Sequence, residues 1–577
     1  MTTGKTAKNN KCRLGATTLV LVVWSFIFAE CGHSQPLLDR QQRPFDARPL
    51  LPSFEPPATE GEDILPRIQY TPREESNILT GVFVTEYQIT GNTVLPDQVL
   101  VELVQPYLNR RVSFAEFAAL RDDLTRAYIA RGYVNSGAVI PPQKGENGVV
   151  LVRIVEGGLS GIEYHTDGRL RESYVRRRLL RGIAYPLHVG QLEQRLQQLQ
   201  QDDRIQHIQA ALAPTETRGE SLLRLQLIEE KPLRIALQAD NFSPPSIGAE
   251  TLRVNVSHTN ISGYGDRLEA SFDRSEGLWS ARARYQVLLN AGDTSFDVHA
   301  AHSESDLIAL PTGFESVGIE SESSTYGFTL SHPLVNLAHR TFRVSLTGEA
   351  RRSESFIETD GGSFSIQGEP DKVTVMRVGL DWSHRSRRQV LAARSLITLG
   401  IDVLDATVEA DDSADSQFAA LLLQGQWARR LKLWDAEVFA RGDIQLSESR
   451  LLGMEQFAVG GHATVRGYRE NTLVHDQGWV VSVEGRVPVW RRRAARLEMG
   501  LFADAGRGWD KHRELSVNGR TDAPGSTLSS AGITLRYSMN SRLNLQMDWA
   551  KRLEGVPKAA DDYLQDRGIH VRLSTVF

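Results

Sequence analysis

The side chains best suited to covalent chemistry are scattered along this chain. His258, His302, Ser303 and Asp306 match neither the arrangement of a nucleophile, base and acid nor the spacing of a metal-ligand run, and they read as residues of a solvated loop. The TGKT stretch at Thr3–Thr6 lacks the upstream glycine that a phosphate-cradling loop needs. The two cysteines, Cys12 and Cys31, both precede residue 35, so the rest of the chain has no thiol for nucleophilic or redox chemistry. What remains is the chemistry of charge. Arg169, Arg171, Arg176, Arg177, Arg178 and Arg181 form one basic cluster, read here as a solvated helix face rather than a docking surface. A net charge of −5 and a pI near 6.3 offer no basic excess to neutralise phosphates, which argues against a nucleic-acid partner. No catalytic residue, metal or cofactor is predicted, and the chain is not read as an enzyme.

The elements that position these charges begin with a secretion signal. Lys5, Lys8, Lys11 and Arg13 precede an apolar run from Leu14 to Ala29, and small residues at Gly32 and Ser34 suit cleavage after residue 34. Residues 35–80 hold eight of the 23 prolines and no sustained apolar period, as a linker would. From Gly81 the order is strand, helix, helix, strand, strand. A helix starts near Asp97, and a second opens at Ser113 with Glu116 three residues on, the pattern of a capping box. Phe117, Leu120, Leu124 and Tyr128 then repeat at helical spacing. The same order recurs over 158–231, with helices at Leu170–Leu180 and Val189–Gln200, so two copies of one α+β unit stand in tandem.

After residue 232 the helical period gives way to strands of alternating polarity. Trp479, Val481 and Val483 face one way and Ser482, Glu484 and Arg486 the other. About 16 such runs fill the remaining 346 residues, or roughly 22 residues per strand and loop, a fit to membrane-spanning strands of about 10 residues with their turns. Eight of the nine tryptophans lie in this part, many near strand ends where an interfacial girdle would place them. The chain stops within an alternating strand on Phe577. A closed antiparallel barrel is favoured over a soluble sandwich, because a membrane interior tolerates no free strand edge. In the run from Leu497 to Gly506 the lipid-facing set is Leu497, Met499, Leu501 and Ala503, which turns Glu498, Phe502 and Asp504 to the lumen. A segment at 448–476 is far longer than a hairpin needs.

Two short motifs make a resemblance specific. Val465, Arg466, Gly467 and Tyr468, within EQFAVGGHATVRGY at 455–468, match the VRGY loop motif of the BamA-like barrel superfamily. Phe502, Asp504 and Gly506 match its F-x-D-x-G strand motif, and the terminal Phe577 follows. Either motif alone is weak; both in order are not. The tandem units resemble POTRA domains, at 81–157 and 158–231, with ITGNTVLP at 89–96, RGY at 131–133 and VIPPQ at 139–143. Together with DNF at 240–242, NISGYGDRL at 260–268 and SHPL at 331–334, they make the chain similar to the TpsB transporters of two-partner secretion (the ShlB/FhaC/HecB-like family).

The resemblance implies α+β POTRA repeats in the periplasm of a Gram-negative bacterium, followed by an all-β outer-membrane barrel of about 16 antiparallel strands over 232–577. It implies that the 448–476 loop folds into the barrel and that Arg466 pairs with Asp504, a geometry that permits two parallel hydrogen bonds. It implies export of a secreted TpsA-type exoprotein, a haemolysin or adhesin, without ATP; lipid around the barrel; and recognition of the Phe577 end by the barrel assembly machinery. TpsB relatives usually carry an amphipathic plug helix before the first POTRA domain, whereas residues 36–57 here are too rich in proline to read as one. Two other readings compete. A BamA-type assembly factor shares both motifs but more often has three or more POTRA units, and a passive porin has no use for two periplasmic domains.

Overall fold

The computed structural model describes residues 65, 81–143, 146–308, 318–337, 339–359, 362–365, 370–408, 414–511, 525–540, 542–555 and 562–577. The expected signal sequence at 1–34 and the proline-rich segment at 35–80, with any plug, lie outside the described residues apart from Leu65, which is buried in the core of the second unit.

The first unit holds β1 (Val82–Val84), β2 (Glu86–Thr90), α1 (Asp97–Val104), β3 (Arg110–Val112), α2 (Phe114–Ile129), β4 (Gly137–Val139) and β5 (Val149–Val155). The predicted capping box starts α2: the Glu116 amide donates to Ser113 Oγ at 3.3 Å and the Ser113 amide donates to the Glu116 carboxylate at 2.7 Å. This satisfies two amides that helix geometry leaves without partners. Leu120, Leu124 and Tyr128 on α2 are fully buried with Val152 of β5. β5 pairs in parallel with β2 and antiparallel with β4. The first strand of the expected order, Val82 to Thr90, is not one strand but divides at Thr85. Its first half leaves to pair with β3, a strand too short for its period to show.

The second unit repeats the plan with β6 (Gly158–Thr166), α3 (Glu172–Leu179), α4 (Val189–Gln200), β7 (Ile205–Pro214) and β8 (Glu220–Glu229). β6 runs parallel to β8 and β7 antiparallel to it. Gly157 joins the units where a Cβ would lie 2.3 Å from the Asn135 carbonyl oxygen and 2.4 Å from that of Gly219, so only glycine fits.

A closed antiparallel barrel follows. Its strands are β9 (Leu233–Asp240), β10 (Thr251–His258), β11 (Arg267–Arg274), β12 (Leu278–Leu288), β13 (Ser295–Asp306), β14 (Gly318–Leu337), β15 (Arg340–Thr359), β16 (Gly362–Ser365), β17 (Asp371–Arg385), β18 (Gln389–Ile401), β19 (Ala419–Arg430) and β20 (Glu437–Ser447). A hairpin of β21 (Phe457–Val459) and β22 (Leu473–His475) intervenes. β23 (Gln477–Arg492), β24 (Ala495–Trp509), β25 (Ser526–Met539), β26 (Leu543–Arg552) and β27 (Ile569–Val576) complete the wall, and β27 pairs back onto β9. β16 pairs with the outer end of β15, which itself pairs directly with β17, so 16 strands form the wall.

Alternation sorts the wall as membrane chemistry requires. On β24, Met499 and Leu501 are exposed outward, while Phe502 and Asp504 are buried inside. Turns at one rim are short, as at 386–388 and 493–494, and that rim also meets the second unit. Segments at the other rim are long, as at 402–418 and 510–525. The eight barrel tryptophans divide evenly: Trp382, Trp427, Trp434 and Trp490 lie toward the short-turn rim, and Trp279, Trp479, Trp509 and Trp549 toward the other. His258 lies in β10, and His302, Ser303 and Asp306 lie in β13, not in a loop. His302 and Asp306 continue the outward face of Phe296 and Val298 past the point where that face stays apolar, so alternation does not mark that end of the strand.

The basic cluster also departs from its expected role. Arg171 donates to the Tyr264 hydroxyl at 3.0 Å, Arg178 pairs with Asp293, and Arg181 reaches the Ala291 carbonyl at 3.4 Å. These are barrel turns, so half of the cluster grips the barrel rather than water. Helical periodicity within one element could not reveal which neighbour lies beside it.

Candidate functional site: a loop latched inside the barrel

The segment at 448–476 leaves β20, enters the lumen and returns to β23. An apolar patch seats its tip: Phe457, Val459, Val465 and Tyr468 are buried with Leu422, Val480 and Leu528 of the wall. Gly506 makes room for it, because a Cβ there would meet Val459 at 2.7 Å and Val465 at 3.1 Å. Gly467 has φ +91°, and a Cβ on it would lie 2.7 Å from that of Ala550, so both its conformation and its close approach need glycine. Its amide donates to His570 Nε2 at 3.2 Å and its carbonyl accepts from Arg552 Nε at 2.5 Å.

Arg466 projects from this tip onto β23 and β24. Its Nε and Nη2 donate to the two oxygens of Asp504 at 2.8 and 2.9 Å, the parallel fork that suits guanidinium to carboxylate. Its backbone amide donates to the same carboxylate at 3.1 Å. Nη1 donates to Glu484 at 2.6 Å and Nη2 to Ser482 Oγ at 3.2 Å. The guanidinium carbon lies 3.4 Å from the centre of the Phe502 ring, a cation over an aromatic face. Strand register explains the convergence. Ser482 is paired with Asp504 and Glu484 with Phe502, so one inward-facing quartet from two neighbouring strands surrounds one cation. Asp504 and Glu484 are 3% and 4% exposed and Arg466 is 5% exposed.

Tyr468 is fully buried and its hydroxyl donates toward the carbonyls of Ser529 and Glu554 at 2.9 and 3.0 Å. Beyond the VRGY residues, Arg469 forks onto Asp566 at 2.8 and 2.6 Å, and the Glu470 amide donates to Gln565 at 3.0 Å. His462 stacks on Phe242 of the DNF run at 3.7 Å between ring centres. Asn241 of that run bonds both Ile569 and Val571, at 3.0 and 2.7 Å, and so ties the outer ends of β9 and β27 together. Phe577 takes part in the closing ladder, its amide donating to the Ile235 carbonyl at 2.9 Å.

The structure thus brings Val465, Arg466, Gly467, Tyr468, Phe502, Asp504 and Gly506 to one place, and sets Phe577 apart at the short-turn rim. Sequence reasoning did not identify Glu484, Ser482, Arg552 or Asp566 as partners. Alternation already turned Ser482 and Glu484 inward, and pairing β23 with β24 in register would have set them beside Asp504. Arg552 and Asp566 lie on or beyond β26, and no local pattern points to them. The arrangement holds charges in place and positions a loop. Among the described residues no group of three or more His, Cys, Asp or Glu side chains is placed to hold a metal ion.

A model of the family described as haemolysin secretion/activation protein ShlB/FhaC/HecB matches residues 219–535, and a ShlB-type POTRA domain model matches 82–157. The chain is 25% identical over 424 residues to the outer membrane transporter CdiB of Escherichia coli, spanning 68% of this chain and 67% of that protein. It is 23% identical over 494 residues to the heme/hemopexin transporter protein HuxB of Haemophilus influenzae, spanning 83% and 85%. The solved structure of CdiB from Escherichia coli superposes with a TM-score of 0.63 at 21% identity, over 86% of this chain and 91% of that one.

Proposed function

The chain belongs to the haemolysin secretion/activation protein ShlB/FhaC/HecB family of outer-membrane transporters, and from that premise we propose that it exports one TpsA-type exoprotein across the outer membrane without ATP. The observation that carries this reading is a polar lumen occupied by the chain's own loop and held there by Arg466 between Asp504 and Glu484. Such an occupant closes the route at rest and can be displaced without breaking a covalent bond. Toward the periplasmic rim the lumen widens into a cavity of about 490 Å³ lined by Arg430, Arg486, Arg496, Arg536, Arg572 and Glu437, among others, a wall that suits a hydrated, unfolded chain.

Capture falls to the first unit. Between α2 and β4 lies a groove of about 440 Å³ lined by Val82, Phe114, Phe117, Ile140 and Pro141, and Phe114 is 51% exposed. An extended or amphipathic segment of the exoprotein docks in such a groove, and folding of the exported part outside draws the rest through. In this reading residues 1–34 are the signal, 81–157 and 158–231 the two POTRA domains, and 232–577 the barrel, which lipid surrounds and the assembly machinery inserts through the strand ending in Phe577. Arg466 with Asp504 sets the working position of the loop.

The test is secretion of the exoprotein encoded beside this gene in cells carrying Arg466→Ala. Export is expected to fall by roughly tenfold or more while the variant barrel assembles, because Asp504 and Glu484, left buried without their cation, let the loop drift from the one working position from which the exoprotein displaces it. Secretion at the wild-type rate from a normally assembled variant would sink the latch, and general loss of outer-membrane proteins on depletion of the wild-type chain would sink the transporter reading.

A further inference from the structure

The loop is seated twice, and the second seat lies on another arc of the wall. Leu451 and Leu452 are buried against Val373 and Val375 of β17 and Phe418, with Met454 packed beside them. This is a second apolar patch on the lumen wall, separate from the one under the tip. Next to it, Glu455 accepts from Arg377 Nη2 at 2.7 and 3.0 Å and from Arg351 Nη1 at 3.1 Å, and Arg351 also donates to the Met454 carbonyl at 3.3 Å. Glu349 completes the group by pairing with Arg351 at 3.2 Å and with Arg377. All four charged side chains are 9–16% exposed.

In the order of the barrel, β18, β19 and β20 separate this seat from β23 and β24, which hold Arg466. The two limbs of the loop meet at the root. Asp476 accepts from the Leu451 amide at 3.0 Å and from Gln456 Nε2 at 3.1 Å, while Gln445 bonds the carbonyls of Glu455 and Asp476. Beyond Gln456 and before Asp476 the two limbs pair as β21 and β22 and carry the VRGY tip.

We propose that Glu455 is a positioning residue that fixes the root of the loop to the β15–β17 wall, so that during transport the loop swings as an arm about residues 456 and 476 instead of leaving the lumen whole. This rests on the reading that the loop moves during export. The four-charge cluster and the dry patch hold the root to its own arc of the wall, apart from every contact of the tip, and a few residues at the ends of paired elements are where hinges sit. The freed space then opens beside β23 to β27, while the root stays as a fixed baffle on the opposite side.

Two cysteine pairs test this in the full-length protein, after replacement of Cys12 and Cys31 by serine. Leu452→Cys with Val375→Cys locks the root, and Val465→Cys with Leu528→Cys locks the tip. Secretion of the exoprotein encoded beside the gene is compared for each pair, oxidised and reduced. The root-locked protein is expected to secrete within roughly twofold of its reduced form, and the tip-locked one to fall by roughly tenfold or more. If root and tip locks block export equally, the hinge is wrong although loop movement stands; if the tip lock has no effect, loop movement and hinge both fall. Glu455→Gln is expected to slow formation of the root cross-link by about threefold or more, a readout of position that a folding defect in the periplasmic units would not move. An unchanged rate would remove Glu455 from the role.

Discussion

The first and second periplasmic units share an element order, yet their buried charges face different neighbours. In the first, the carboxylate of Glu156 stays within the unit, accepting from the Thr93 and Val94 amides at 2.7 and 3.2 Å and from the Tyr128 hydroxyl at 3.0 Å. In the second, Arg204 reaches outward and donates to the Thr259 and Gly265 carbonyls of a barrel turn at 2.9 and 2.5 Å. Asp202 holds that guanidinium at 2.8 Å, and Arg267 of the barrel pairs with Asp203. Gln198 adds a bond to the Asn336 carbonyl at 2.7 Å, at the end of β14. One fold therefore serves as a bracket where its polar groups meet the barrel, and, in the function proposed above, as a receptor where its apolar groove is left open. Repetition of a fold does not carry repetition of a role.

The sharpest way to break this comparison is Arg204→Ala. Asp202 would be left buried without its cation, which typically costs about 3 to 5 kcal/mol. Hydrogen exchange on the full-length protein should show protection lost across the Thr259–Gly265 turn and α4, with the first unit unchanged. The same junction should respond to acid. Burial pushes the Asp202 carboxyl up, but Arg204 and the Tyr174 hydroxyl outweigh it and hold it below the usual carboxylate range. A carboxylate so lowered contributes stability that is present above its unfolded value and lost as pH falls through its folded one. Protection at the junction should accordingly hold at neutral pH and fade only under strong acid.

A second substitution separates receptor from bracket. Phe114→Asp puts a charge into the first unit's groove at a half-exposed site, so folding should survive while secretion falls by roughly tenfold, the effect of losing one anchoring aromatic. Equal secretion would move capture elsewhere. The smallest effect is expected from Arg224→Ala. Its pair with Glu163 at 3.0 Å is 65% and 42% exposed, and such pairs are worth about 0.5 kcal/mol. A large loss there would mean that the exposed face of the second unit also meets a partner.

How much could be read in advance follows the range of each signal. Periodicity located α2 and α4 and its switch from helix to strand marked the barrel, because both are set by residues within a few positions of one another. The VRGY and F-x-D-x-G motifs pointed to Arg466 and Asp504 through resemblance. The barrel turns under Arg171, Arg178 and Arg181 were missed, as was the apolar seat on Val373 and Val375. Each depends on which residue of a distant strand lies opposite, and alternation states the face of a strand without naming what will cover it.

The closing pair of the barrel has a kinetic consequence. The Asn241 side chain accepts from the Val571 amide 330 residues later, and β9 finds its second neighbour only in the last strand of the chain. Until the final residues arrive, one side of Leu233–Asp240 presents an unpaired row of amides and carbonyls, the kind of edge on which chains aggregate. Closing so long a loop is slow because its entropy must be lost before any of the final pairing is gained. The interval between the first and last strands is therefore when this chain most needs a chaperone.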